Sequence, residues 1–397
     1  MNLESRMAVN PFSKSGDLRE PDDVEEVKLG DTFVEKAIKS YKNIDFDERD
    51  FDKIDKQISS LEKIVLNPNQ INVFLQVIIE KESKQKIMHW GTGLYLSKLI
   101  QDSYNAGNND FTLNTGDTQI NCLGYKIKGS KKKQIIQIKI NGNVGNWCGL
   151  NTQNSTFNIK GNVGDECGKK ARHSTFTIEG DVGGSCGDLV KYSVFKIKGC
   201  AGEKCGSCAI YSMFNVEGNV GDECGEYVKN TIFTIEGYAG DECGYGAKNS
   251  TFNIRGEAGE RCGADARHSN FIIGRDVGDE CGREAQNSIF LTEGNALACG
   301  CQSTSSIFVI EGNVYWCGKH SRNSTFNIRG DVGDECGRCA QNSTFKIEGT
   351  IGSYCGYDAR HSIFKSKNKY TYENMLRRVT DQKISLEEGG NRVIFIP

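Results

Sequence analysis

Phenylalanine recurs at positions 157, 176, 195, 214, 233, 252, 271 and 290, each 19 residues after the one before. Ile138 stands 19 residues ahead of Phe157; Phe308 and Phe326 follow at steps of 18, Phe345 and Phe364 at steps of 19. Between successive members of this series lies a cysteine followed directly by glycine, from Cys148 to Cys355, which marks twelve coils. A fixed period of this length is the signature of a solenoid, in which each repeat buries its apolar face only against its neighbours. A helical repeat needs roughly 30 residues or more for its helices, and glycine is costly inside them. With 46 glycines in 397 residues, the repeat is a β coil.

The unit reads Ser-x-Phe-x-Ile-x-Gly, as in Ser155 to Gly161. Period-two alternation of an aromatic and a β-branched residue describes a half-buried strand. The expected columns follow from one coil: Ser155, Phe157 and Ile159 point inward, then Val163, Cys167 and Ala171. The eight residues GNVGDECG, Gly161 to Gly168 and again Gly218 to Gly225, read as the corner. Gly161, Gly164 and Gly168 serve turns and close packing, Cys167 is a small buried side chain, and Asp165 and Glu166 form a solvated turn. Stacked coils lie about 4.8 Å apart. The outward column before the corner runs Lys160, Glu179, Lys198, Glu217, Glu236, Arg255 and later Glu311, Arg329, Glu348. Opposite charges mostly meet on adjacent rungs, a contribution of a few tenths of a kcal/mol per pair. The fold class is therefore mainly β: a single-stranded parallel β-helix of about twelve coils, preceded by a small helical bundle.

Seventeen cysteines invite metal and redox readings. CGSC at Cys205–Cys208 and CGRC at Cys336–Cys339 look like half-sites, with Cys200 near the first and Cys299 and Cys301 as another cluster. A cysteine occupies its column at every rung whether or not a second one is near, which favours buried structural thiols and no metal or cofactor. The acidic pairs Asp165–Glu166, Asp222–Glu223, Asp241–Glu242, Asp279–Glu280 and Asp334–Glu335 lie on one edge, and the calcium-binding nonapeptide pattern is missing from them. His173, His268 and His361 share one column but are too many coils apart to meet. No nucleophile–base pair, phosphate loop or metalloprotease motif stands out, so no catalytic residue is assigned and the chain is expected not to be an enzyme.

The pattern carried by Ile159, Gly161, Gly164 and Gly168, and by their equivalents over about 136–365, resembles the GXGXG right-handed β-helix. That domain ends the large subunit of glutamate synthase and also forms one of the subunits of formylmethanofuran dehydrogenase. The resemblance implies right-handed coils and a supporting, non-catalytic role. Two departures are visible: Asn154–Ser155 and His173–Ser174 replace the family's Gly-Gly before the strand, and a cysteine replaces the usual aliphatic residue before the last glycine.

The remaining segments divide as a polar, disordered tail at 1–24, a helical bundle or N-terminal cap at 25–107, the solenoid at 108–365 and a C-terminal cap or tail at 366–397. Helical spacing is clearest at Phe51, Ile54, Ile58, Leu61 and Val65, with further helices over 69–82 and 93–104. Phe111–Leu113 and Leu123–Ile127 look like irregular first strands, and Lys131–Lys133 like a loop. Solenoid ends need caps. The helices suit one end; Tyr372–Thr380 and Val393–Pro397 suit the other.

A net charge of −3 gives no general attraction to nucleic acid or anionic membrane. The start of the chain has no signal-peptide pattern, no segment is long and apolar enough for a membrane span, and the many thiols suit a cytoplasmic setting. A mixed column (Thr156, Thr175, Val194, Met213, Ile232, Thr251) lacks the flat threonine ladder that ice binding would want. Two functions stay open: a structural scaffold or protein-interaction protein, and an accessory subunit of a larger oxidoreductase or synthase. The oligomeric state stays open as well. The repeat is broken in one place. The coils at Phe290 and Phe308 are each one residue short and carry Ala-Leu-Ala and Val-Tyr-Trp instead of the acidic pair, while Arg275 occupies a glycine corner. Arg275, Tyr315, Trp316 and His320 are the candidate partner-binding residues, in the manner of exposed aromatics beside cations at interfaces.

Overall fold

A computed structural model describes residues 31–46, 50–82, 87–130, 134–370, 372–373 and 390–395. The polar tail at 1–24, the lysines 131–133 and most of the segment 372–380 lie outside the described residues. The chain divides into two compact units, Met1–Ala201 and Gly202–Pro397.

The first unit contains α1 (Thr32–Lys42), α2 (Phe51–Ser60), α3 (Pro68–Lys81), β1 (Ile87–Met88), α4 (Trp90–Asn105), β2 (Asp110–Gly116), β3 (Gln119–Ile120), β4 (Ile136–Gly142), β5 (Ser155–Ile159), β6 (Thr175–Ile178) and β7 (Val194–Ile197). The strands β2, β4, β5, β6 and β7 stack in parallel, with Phe111, Ile138, Phe157, Phe176 and Phe195 in register. A solenoid coil therefore precedes the twelve that the Phe–Cys period marks. Its inward column continues through Ile120 and Leu123, both fully buried. Leu123 holds the place that cysteine holds later, since Gly149 N donates to Leu123 O just as Gly168 N donates to Cys148 O.

The second unit contains β8 (Met213–Val216), β9 (Ile232–Ile235), β10 (Thr251–Ile254), β11 (Asn270–Ile273), β12 (Ile289–Thr292), β13 (Ala296–Cys299), β14 (Ile307–Ile310), β15 (Val314–Cys317), β16 (Thr325–Ile328), β17 (Thr344–Ile347), β18 (Ile363–Ser366) and β19 (Arg392–Phe395). All pair in parallel, β8 to β12 then β14, β16, β17, β18 and β19, with β13 and β15 as a second sheet. The protein is thus mainly β, a parallel solenoid in both units, with helices α1 to α4 among the described residues.

Burial follows the expected columns. Ser155, Phe157, Ile159, Val163, Cys167 and Ala171 are all buried. Phenyl rings stack face to face, Phe157 on Phe176 with centroids 4.8 Å apart and Phe233 on Phe252 at 5.0 Å. The glycine after the cysteine explains itself here. Gly168 has φ +65°, and a Cβ on it would lie 2.6 Å from the ring of Phe195. Gly161 and Gly164 are not left-handed; each lies too close to the preceding rung for a side chain, Gly164 because Asn146 Oδ1 occupies the space.

The corners are made largely by residues other than glycine. In the coil of Phe157, Glu166, Lys170 and His173 have φ of 57°, 59° and 51°. Such a conformation strains most L-residues. It is repeated because it turns each N–H along the stack: Glu166 N to Gly184 O, Lys170 N to Asp188 O and His173 N to Lys191 O, at 2.8 to 3.0 Å. Buried backbone donors need acceptors, and these ladders supply them.

The aspartate of the acidic pair is not a merely solvated turn residue. Asp165 Oδ1 accepts the N–H of Gly184 at 2.9 Å, and Asp222 Oδ1 that of Asp241 at 2.9 Å. A second column does the same: Asn143 Oδ1 accepts from Asn162 N and Asn162 Oδ1 from Asp181 N. The glutamates pair with cations, as Glu166 with Lys169 at 3.0 Å and Glu280 with Arg283 at 2.6 Å. Outward charges pair across rungs as expected, Arg255 with Glu236 at 2.6 Å.

α2, α3 and α4 touch the first coil directly, and α1 packs on α3. α3 makes its most extensive contact with β2; Asn72 Oδ1 accepts from Asn114 N and Gln76 Nε2 donates to Asn114 O. One face of α4 replaces a missing rung. Ser97 Oγ accepts from Gly124 N at 2.8 Å and Tyr125 N at 3.1 Å, Gln101 Oε1 from Lys128 N at 2.7 Å, and Tyr104 OH from Ser130 N at 2.9 Å. At the other end β19 pairs with β18, and Asn391 Oδ1 accepts the N–H of Ser362 at 2.9 Å.

Candidate interaction surface

The two shortened coils have a simple physical origin. In a full coil, a left-handed residue such as Glu280 stands just before the cysteine. Ala296–Cys299 and Val314–Cys317 lack it, and each segment straightens into a strand, β13 and β15. These pair in register, Ala296 with Val314, Ala298 with Trp316 and Cys299 with Cys317. Ala296, Ala298, Val314 and both cysteines remain buried.

The outward side chains are apolar. Leu297 and Tyr315 are each 51% exposed and Trp316 39%. The Tyr315 and Trp316 rings touch edge to face, 4.8 Å between centroids. Tyr315 also rests on the following rung, where a Cβ on Gly333 would lie 2.5 Å from its carbonyl oxygen. Around the corner, the sheet of the same coils is apolar too: Ile272 pairs with Leu291 and Ile289 with Ile307, and all four are exposed. Rungs further along carry Thr325, Asn327, Thr344 and Lys346 at these places.

Arg275 is exposed at the corner where other rungs have glycine. Its displacement leaves Gly274 in the outward charged column between Arg255 and Glu293, which opens a shallow notch lined also by Asn253 and Ile272. His320 is exposed and left-handed, φ 57°, in the turn after Cys317. Among the described residues, the structure brings Tyr315 and Trp316 into contact and links neither Arg275 nor His320 to that pair. The apolar sheet positions were missed in sequence reasoning; the run Ile-Phe-Leu at 289–291 and Ile-Phe-Val-Ile at 307–310, where other rungs alternate with polar residues, was the signal.

Column cysteines are buried throughout, from fully enclosed to 6% exposed at Cys355. Hydrogen bonding with Cys148 and Cys186, followed by burial, pushes the Cys167 thiol well above its usual range. Cys224 and Cys262 are pushed up likewise, while Cys243 between them is pulled down by the hydrogen bonds of both. Burial disfavours a charge on any of these thiols. Cys317 and Cys336 sulfurs are 2.9 Å apart. The two C-x-x-C runs do not form sulfur pairs: Cys205 and Cys336 face the core, whereas Cys208 and Cys339 are half-buried on the turn. Among the described residues, no three His, Cys, Asp or Glu side chains converge as a metal ion would require, and no helix is long and apolar enough to cross a membrane.

No protein-family model matches the chain, and neither the curated proteins nor the solved structures yield a match.

Proposed function

We propose that the protein is a β-solenoid scaffold that binds a protein partner through its two shortened coils. The observation that carries this reading is the exposed, contiguous apolar set Leu297, Tyr315 and Trp316, flanked by Ile289, Leu291 and Ile307 on the adjoining sheet. Tyr and Trp in such patches supply large contact area at low entropic cost. No internal requirement of the coil explains them, since the inward columns are already filled by Ala296, Ala298 and Val314. Affinity capture with the full chain and with a Tyr315→Ala/Trp316→Ala variant, read by cross-linking mass spectrometry, tests it. Cross-links from a protein partner that map to 289–316 and vanish in the variant support the reading. Capture that is unchanged in the variant overturns it.

A second reading is an accessory subunit of an oxidoreductase or synthase. The parallel coils with glycines packed close against the preceding rung, similar in sequence pattern to the GXGXG domain, favour it. Its distinguishing outcome is a captured partner that carries flavin, iron–sulfur or molybdopterin chemistry.

A further inference from the structure

Several outward columns of the second unit carry both signs of charge and pair them within the chain: Lys204 with Glu223 at 3.4 Å, Arg255 with Glu236 at 2.6 Å, and Arg261 with Glu242. Two stripes carry one sign each. Lys229, Lys248 and Arg267 occupy one column on consecutive rungs, joined by parallel bridges. All three are exposed and make no ion pair among the described residues. The fold does not ask for a cation there, because Ile210, Gln286 and Thr304 fill the same column. From this column across the adjoining strand, Lys229, Asn230, Ile232 and Thr234 and their equivalents on the next two rungs include no acidic residue.

The second stripe is opposite in sign. Asp222, Asp241, Glu260 and Asp279 follow one another in a column, with Glu257 and Asp276 beside it. None of the six makes an ion pair among the described residues. The aspartates have a structural role, as Asp222 Oδ1 shows in accepting from Asp241 N at 2.9 Å and Asp276 Oδ1 in accepting from Asn295 N at 2.7 Å. Glu257 and Glu260 have none: both are exposed, and their carboxylates make no hydrogen bond or ion pair among the described residues. The left-handed corner columns of Glu223 and Tyr227 separate the two stripes, so they lie on different faces of the coil.

Both stripes repeat at the rung spacing. The rings of Phe233, Phe252, Phe271 and Phe290 stack at 5.0, 4.9 and 4.8 Å over the same rungs. A cation ladder and a carboxylate ladder of one pitch can meet rung for rung when two copies lie side by side. One exposed ion pair contributes little, but pairs held on two rigid ladders form together once the first is made.

We propose that the second unit associates laterally with a second copy of this chain, the Lys229, Lys248 and Arg267 column of one copy lying along the stripe of Glu257 and Glu260 of the next. The contact does not use Tyr315 or Trp316. It is heterologous, so each copy keeps an unused stripe, and association continues into chains unless rotation closes a ring. A polyanion such as nucleic acid fits less well, because the acidic stripe on the same rungs repels it.

Sedimentation velocity of the full chain tests this. The protein should associate with rising concentration at about 50 mM sodium chloride and return to monomer at about 500 mM, where screening is strong. Lys229→Gln/Lys248→Gln/Arg267→Gln and, separately, Glu257→Gln/Glu260→Gln should each weaken association about tenfold. The fold tolerates the first set, since Gln286 already stands in that column, and circular dichroism should be unchanged in both. Each variant keeps one intact stripe, so an equimolar mixture should form a one-to-one pair and grow no further. A chain that is monomeric at low salt, association unmoved by salt or by both variants, or a mixture no more associated than its parts would overturn the proposal. So would retention on heparin at about 150 mM salt by a chain that stays monomeric.

Discussion

Ser269 Oγ accepts the backbone N–H of Ser250, one coil earlier, at 3.2 Å and donates its own proton to Arg267 O at 3.0 Å. The hydroxyl is fully buried, and the same exchange is made by Ser174 and Ser193 in the first unit. Ser269→Ala should strand the Ser250 N–H and cost about 1–3 kcal/mol. Ser269→Thr should cost less than about 1 kcal/mol, because Thr231 already fills this column and keeps the hydroxyl. Urea unfolding of the two variants makes the comparison.

The cysteine column contributes by filling space. Cys243→Ala should leave a small cavity and lower stability by about 1–2 kcal/mol, well below a large-to-Ala change. Equilibrium unfolding measures this. Stoichiometric zinc or iron in the purified protein would contradict a purely structural column.

Gly168 is constrained twice, by its left-handed backbone and by the ring of Phe195 at 2.6 Å from a would-be Cβ. Gly168→Ala should therefore cost about 2–5 kcal/mol, conformational strain adding to overpacking. A melting temperature within a degree of the unaltered protein would refute this.

The edge of the first coil depends on α4. Ser97→Ala strands Gly124 N, a loss of about 1–3 kcal/mol, while Tyr125 N, which also donates to Cys122 O at 3.1 Å, keeps an acceptor. Amide hydrogen exchange should accelerate most at Gly124, while amides around Phe252 keep their rates.

Trp316 is 39% exposed. Trp316→Phe should change stability by no more than about 0.5 kcal/mol. The fluorescence it removes should be red-shifted and quenched by iodide; a blue-shifted, unquenched component would place the indole in the interior.

The period and the inward columns were readable because burial selects residue type at every rung: Phe157, Ile159, Val163, Cys167 and Ala171 each announce their side of the wall. What escaped was whatever depends on backbone conformation rather than hydrophobicity. Glu166 and Lys170 look like ordinary solvated residues, yet they hold the left-handed corners; only the third such column hints at its geometry, through Asn154, Asn230 and Asn249. The role of Asp165 as an acceptor for the next rung was hidden because a carboxylate on a turn reads the same whether it faces water or a backbone N–H. The first coil was obscured by the 27-residue step from Phe111 to Ile138 and by Leu123 in the cysteine column. The shortened coils were visible as a break in spacing, but only the structure shows that losing one left-handed residue turns a corner into a strand.

The rung-to-rung bonds are made between equivalent positions: Ser250 N to Ser269 Oγ is followed by Ser269 N to Ser288 Oγ at the same 3.2 Å. A 19-residue block taken from one place meets the same donors, acceptors and rings in another. Within the regular coils, then, excision or duplication of a whole block by recombination is register-neutral, and solenoid length can change in units without redesign of any contact. The coils of β13 and β15 are outside that freedom. Their strands pair in full only with each other and meet the regular rungs by single bridges, Val277 with Ala296, Cys281 with Cys299 and Val314 with Val332, so the ladder is kept only when the two coils move together.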